Sequence, residues 1–329
     1  MSRVQQLATN ITELLNSEQT TEEGSPAIRQ LLEHKLKMCG QAECEQKELL
    51  AGIADACLSP HVTTANARVT LMELVELLEK EGCELAAETK QATFQYILGK
   101  IQQRLSEFED VIFNARIALS KVYQSEGEWT KAAAELQSLP FDQAQRSYDP
   151  EFRFEQYVTT MRLYLEADDP TMAMAALQRA TPLLTLVKNK QHILMFQLSQ
   201  ARIFDSEHKY IEAANLYQTV AQSEELDANE KARFVGLAIN CAVLSAAGPQ
   251  RSQMLARLYR DKLASDLMTF TVLESMHLRR LIKPKDLEHF EEGLAQHQKA
   301  VLGDGKTTIL SRAVREHNMF VLSSLYSNI

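Results

Sequence analysis

Ala300-Val-Leu-Gly-Asp-Gly305-Lys306-Thr307 comes closest to a phosphate-binding loop in this chain, with alanine standing where the first glycine would be. Such a loop cradles phosphates with backbone N–H groups, and it needs a buried strand before it and a helix after it. Asp286 to Lys299 instead reads as a helix rich in Glu, His and Gln, and no later hydrophobic strand ends in an Asp suited to magnesium. The stretch reads as a Gly-Asp-Gly connection capping the next helix. A nucleotide-dependent enzyme built on Lys306 would require a strand before residue 300, so no cofactor is expected.

The histidines at 34, 61, 192, 208, 277, 289, 297 and 317 form no HExxH, and His289 and His297 have no carboxylate in a ligand geometry. No metal is expected from them. No GxSxG marks a serine nucleophile, and no local signature marks a cysteine. Glu22-Glu23, Glu224-Glu225 and Glu291-Glu292 are adjacent, so each pair points apart on a helix as a solvated face. Cys39, Cys44, Cys57, Cys83 and Cys241 match neither a CxxC pair nor a zinc spacing, and read as reduced thiols of a cytosolic or nuclear protein. No catalytic residue is assigned, and the chain reads as a non-enzyme.

Two basic clusters remain. Arg251, Arg257 and Arg260 fall on one helix after Gly248-Pro249, and Arg279, Arg280, Lys283 and Lys285 surround Pro284. Solvated faces of amphipathic helices produce such clusters readily. The functional reading is docking onto an acidic protein surface, because the planar guanidinium binds carboxylates bidentately. Arg251, Arg257, Arg260, Arg279 and Arg280 are therefore the candidate protein-contact residues. Nucleic acid is disfavoured, since the chain carries 35 Lys+Arg against 44 Asp+Glu, a net charge of −9.

The elements that must carry these residues are helices. Gly and Pro number only 11 and 8 in 329 residues, about half of average usage. Ser25-Pro26, Ser59-Pro60, Asp149-Pro150 and Asp169-Pro170 pair an N-cap side chain with proline at the first helical position. Asp227-Ala-Asn-Glu230 predicts a capping box. Apolar residues recur at helical spacing, as in Leu71, Leu74, Val75, Leu77 and Leu78, and no stretch alternates as a strand does. The fold class is all-α through at least residue 301. No run approaches the ~18 apolar residues of a membrane span.

A repeat runs through the middle. Tyr123, Trp129, Ala132 and Leu136 have spacings of 6, 3 and 4, matched by Tyr164, Pro170, Ala173 and Leu177, and again by Phe204, Tyr210, Ala213 and Tyr217. The period is 41 and then 40 residues. Each unit predicts a helix ending in an aromatic, a short polar turn, and a second helix with a small residue facing the first. Tyr123, Trp129, Ala132, Tyr164, Ala173, Phe204, Tyr210 and Ala213 are assigned to the repeat core. The expected architecture is a right-handed superhelix of tetratricopeptide-like (TPR-like) pairs, which presents an extended binding surface.

Ala232-Arg-Phe-Val-Gly-Leu-Ala-Ile-Asn-Cys241 with Ala246-Ala-Gly-Pro-Gln-Arg-Ser-Gln-Met-Leu-Ala-Arg-Leu-Tyr259 resembles the PCI-domain subunits of large regulatory complexes. His297-Gln-Lys-Ala300 and Ile309-Leu-Ser-Arg-Ala-Val-Arg-Glu-His-Asn318 narrow the resemblance to the PCI subunits of the COP9 signalosome, with the proteasome lid as the alternative. The resemblance implies a helical-repeat arm over 1–230, then a PCI module over 231–329 made of a helical bundle and the first winged-helix helix. The family continues past Leu325-Tyr-Ser-Asn-Ile329, so the sequence reads as truncated within the winged helix. It also implies a non-catalytic scaffold of a cytoplasmic and nuclear complex that removes Nedd8 from cullins through a metalloprotease in another subunit. Implied partners are the other signalosome PCI subunits, that metalloprotease subunit and cullin–RING ubiquitin ligases, with neither nucleic acid nor membrane. Ligase binding by the arm would be coupled to activation of the protease.

Overall fold

The computed structural model describes residues 43–60, 62–80, 85–141, 147–301 and 307–325. Among the described residues every regular element is helical, apart from an isolated antiparallel bridge between Val301 and Thr308. The all-α reading holds. Two compact units meet at Asp149 and Pro150.

The first unit contains α1 (Glu43–Cys57), α2 (Thr64–Glu79), α3 (Ala87–Ile101), α4 (Glu109–Ser125) and α5 (Trp129–Gln137). Leu71, Leu74, Val75, Leu77 and Leu78 form the buried stripe of α2, as their spacing predicts. Thr63 caps that helix, its side chain accepting from the Asn66 N–H. Ser59-Pro60 therefore does not open a helix but lies in the turn after α1, where Ser59 N–H donates to Ala56 O at 3.3 Å. Thr63, four residues on, takes the N-cap instead. Ser25-Pro26 falls outside the described residues.

The second unit contains α6 (Pro150–Glu166), α7 (Pro170–Ala180), α8 (Lys190–Ser206), α9 (Tyr210–Ala221), α10 (Ala228–Leu244), α11 (Pro249–Tyr259), α12 (Phe270–His277), α13 (Pro284–Glu292) and α14 (Ile309–Leu325). Pro150 and Pro170 stand at first helical positions, and Asp169 accepts from the Met172 N–H at 3.1 Å. Glu230 accepts from the Asp227 N–H at 3.2 Å, completing the capping box that opens α10.

The repeat is built on one turn used three times. Gly127, Asp168 and His208 are left-handed, at φ 77°, 57° and 60°. Each is followed by an N–H that reaches back across the helix end: Glu128 to Tyr123 O at 3.0 Å, Asp169 to Tyr164 O at 2.9 Å, and Lys209 to Phe204 O at 2.8 Å. This is the Schellman arrangement, which satisfies orphan carbonyls and reverses the chain. Ala132, Ala173 and Ala213 are fully buried where the second helix meets the first. Ser120 Oγ donates to Ala132 O at 3.0 Å, a bond that needs the close approach alanine permits. Tyr123, Tyr164 and Tyr210 are buried and Phe204 half-buried, but Trp129 departs from its core assignment at 37% exposure. It stands at the first residue of α5, the helix end that the preceding turn leaves open to solvent on one side.

A fourth pair, α10 and α11, escapes the sequence pattern. Its first helix is 17 residues, as are α4, α6 and α8. Its connection runs through an extended Ser245 (φ −67°, ψ 154°) rather than a left-handed turn, so the aromatic spacing is lost. The core around α10 takes in Leu310 and Val314 of α14.

Candidate protein-docking surface

The arginine cluster of α11 divides between two places. At 3.6 residues per turn, Arg251 and Arg260 stand roughly 180° apart around the helix, whereas Arg257 and Arg260 are neighbours. Arg251 is only 5% exposed. Its guanidinium donates to Ser245 O at 3.1 Å and points to Met276 Sδ at 3.1 Å, closing the end of α10 where the other pairs use a left-handed turn. Burial lowers its pKa from the ordinary arginine value, opposed by the charge of Glu316. Arg251 is thus no part of the open face on which the sequence would place it.

Arg257 and Arg260 are exposed and overlook a hollow of about 380 Å³, whose other walls are Asn215, Gln218 and Thr219 of α9 and its C-cap Gln222. Arg257 Nη1 donates to Asn215 Oδ1 at 3.4 Å. No Asp or Glu lines this hollow. Two guanidinium groups beside three neutral amides and a hydroxyl suit an incoming carboxylate, which can accept from all three kinds of donor. The α9 row was legible as polar residues at i, i+3, i+4 and i+7, but the sequence does not reveal that it faces α11.

Arg279 and Arg280 close α12. Arg279 is left-handed at φ 53°, and Arg280 N–H donates to Ser275 O at 2.8 Å, a fourth Schellman end. The Arg279 guanidinium lies 5.4 Å from the Phe320 ring centroid. Arg280 stands 3.9 Å from Glu274, a solvent-exposed pair of little energetic weight.

The two stretches that narrow the family resemblance act as pins. Gln298, fully buried, donates through Nε2 to both oxygens of Asp205, at 2.9 and 3.0 Å, and its Oε1 accepts from the Ala295 N–H. His297 Nε2 lies 3.2 Å from the same carboxylate. Asp205 is 4% exposed and lies near Cys241, Tyr210 and Tyr217, whose pKa values are raised by burial first and by the Asp205 charge second. From α14, His317 donates through Nε2 to Arg280 O at 2.9 Å, and the Asn318 amide pairs with Ile282 N–H and O at 3.0 and 3.1 Å. No sequence signal announced the contacts to Asp205, Arg280 and Ile282, which join residues 36 to 93 apart.

Around the glycine-rich stretch, 302–306 lie outside the described residues. What precedes it is α13 and a 3-10 turn over Gln296–Lys299, not a strand. The single helix expected over 286–299 is interrupted after Glu292, where Gly293 ends α13. Thr308 provides the cap of α14, its Oγ1 accepting from the Ser311 N–H at 3.1 Å. Among the described residues no group of three His, Cys, Asp or Glu is placed to hold a metal, and no helix is long and apolar enough to cross a membrane.

Comparison with known proteins places this arrangement. Residues 9–229 match the family described as PSMD12/CSN4, N-terminal. The chain is 36% identical over 268 residues to COP9 signalosome complex subunit 4 of Arabidopsis thaliana, covering 79% of this chain and 67% of that one. To the subunit 4 of Drosophila melanogaster it is 32% identical over 326 residues, covering 98% and 77%. To that of Dictyostelium discoideum it is 38% identical over 234 residues, covering 71% and 59%. The chain spans about two thirds of the length of the relatives it matches.

Proposed function

The chain belongs to the PSMD12/CSN4 family, and from that premise we propose that it is a non-catalytic scaffold subunit of a COP9 signalosome-type complex. In this reading 1–230 supplies a partner-facing arm and 231–329 the assembly contacts. The partners are the other PCI subunits, the metalloprotease subunit and cullin–RING ligases, in the cytoplasm and nucleus. The chain's share in cullin deneddylation is to couple ligase binding to activation of the protease. The observation that carries the docking reading is the hollow between α9 and α11, where Arg257 and Arg260 stand with amides and without a lining carboxylate. A stable interface needs ~800 Å² from each partner, an area that successive helix pairs supply on one face.

The test is co-purification of this chain with purified signalosome subunits and, separately, with proteasome-lid subunits. Co-elution with the signalosome set alone is the expected result. Co-elution with the lid set alone would favour the alternative, a lid PCI scaffold, and binding to neither would overturn the assembly role.

A further inference from the structure

Arg251 and Arg279 belong to different sequence clusters, yet the fold brings them to the wall of one cavity of about 540 Å³. Its walls also include Gly248, Pro249 and Ser252 of the α11 start, His277, His317, and an apolar side made by Leu255, Met276 and Phe320. No Asp or Glu lines it, although the chain as a whole is acidic. Arg251 is a buried cation whose hydrogen-bond acceptors are a carbonyl and a thioether, and the one carboxylate whose charge acts on it, Glu316, is not in the cavity lining, so its guanidinium retains donors. The amino end of α11 adds its dipole, and Gly248 at the N-cap contributes no side chain to cover it. The volume lies within the range of ligand pockets and well above that of a single small anion. Phe320 itself is exposed, so the apolar side of the cavity opens to solvent.

We propose that this cavity is a docking site for an acidic peptide segment of a partner protein, with a carboxylate against Arg251 and Arg279 and a neighbouring apolar side chain against Leu255, Met276 and Phe320. Charge complementarity selects the carboxylate, and the apolar wall selects a peptide over a free anion. The site deepens the docking role proposed above and rests on it only for the class of partner. Peptide binding and complex assembly are read in separate experiments, so either can fail alone.

The experiment uses the whole chain labelled with 13C at methionine methyl groups, the Met276 signal being assigned through Met276→Leu. It is titrated with acetyl-Leu-Asp-Glu-Leu-amide and with the neutral acetyl-Leu-Asn-Gln-Leu-amide. The acidic peptide should shift Met276 in a saturable way at millimolar concentration, and the neutral peptide should not. Arg279→Gln, an exposed change that leaves the buried Arg251 contacts in place, should weaken binding at least tenfold with the thermal midpoint unchanged. Equal shifts from both peptides, no saturable shift, or wild-type affinity in Arg279→Gln would overturn the proposal. So would inorganic phosphate that matches the acidic peptide at equal concentration, since the site would then be a small-anion site.

Discussion

Replacing Gln298 by alanine removes both donors that Gln298 aims at Asp205 while leaving the carboxylate 4% exposed, where water cannot take their place. Hydrogen bonds to a charged group contribute about 1.5–3 kcal/mol each, and stripping one partner from a buried charge costs about 3–5 kcal/mol in total. Some compensation comes from His297, 3.2 Å away. We therefore expect a loss of about 3–4 kcal/mol. The second unit spans Pro150–Ile329, a size at which 1 kcal/mol moves the midpoint by about 2–4 °C, so Tm should fall by about 10 °C. Asp205→Asn keeps an acceptor and removes the buried charge, and should cost less, about 1–2 kcal/mol. In the double variant Asp205→Asn/Gln298→Ala the two losses should fall short of additive by at least about 1 kcal/mol. Calorimetry gives the midpoints, and hydrogen exchange should show the lost protection in α8 and around 295–300. A Gln298→Ala midpoint within about 2 °C of wild type, or strict additivity, would show that the Asp205–Gln298 pair does not hold the fold.

Three other outcomes follow from single residues. Gly127→Ala places a side chain at φ 77° with nothing within 4 Å of the new Cβ, so backbone strain alone should lower stability by about 1 kcal/mol in denaturant titration. The Cys57 thiol is pushed up to about 12 by burial, and burial first and Asp205 second raise that of Cys241. Both should resist iodoacetamide at pH 8 in the native chain and react once denatured, as mapped by peptide mass spectrometry. Burial, with Arg251 adding, holds His317 below the ordinary histidine value of 6.5, against the opposing bond to Arg280 O. The unfolded chain then takes up the proton first, so this contribution to stability is full above about pH 6.5 and is lost as pH falls below it. Between pH 7 and pH 5 the midpoint of His317→Gln should fall less steeply than that of wild type.

Features fixed by neighbours in sequence were the legible ones. Asp169-Pro170 and Asp227…Glu230 are local hydrogen-bond patterns, and the 6-3-4 spacing records a turn whose left-handed residue the structure then shows as Gly127, Asp168 or His208. Ser59-Pro60 misled because the pair is taken up by the turn that ends α1, while Thr63 caps the helix that follows. Trp129 misled because position in a repeat does not settle exposure at a helix's first residue. The fourth pair hid because its turn is capped by Arg251, six residues beyond the carbonyl it serves. That also explains the misplacement of Arg251, which helical phase alone would have separated from Arg260. The Asp205–Gln298 pin spans 93 residues, and no local rule reaches that far.

The most direct measurement on the docking surface is hydrogen exchange of this chain alone and in complex with purified signalosome subunits, followed amide by amide. If the hollow is the docking surface, new protection appears in α9 and α11 around Asn215–Gln222 and Arg257–Arg260, abolished together with co-elution by Arg257→Glu/Arg260→Glu. Protection confined to other helices, with co-elution unaffected by the double charge reversal, would contradict it.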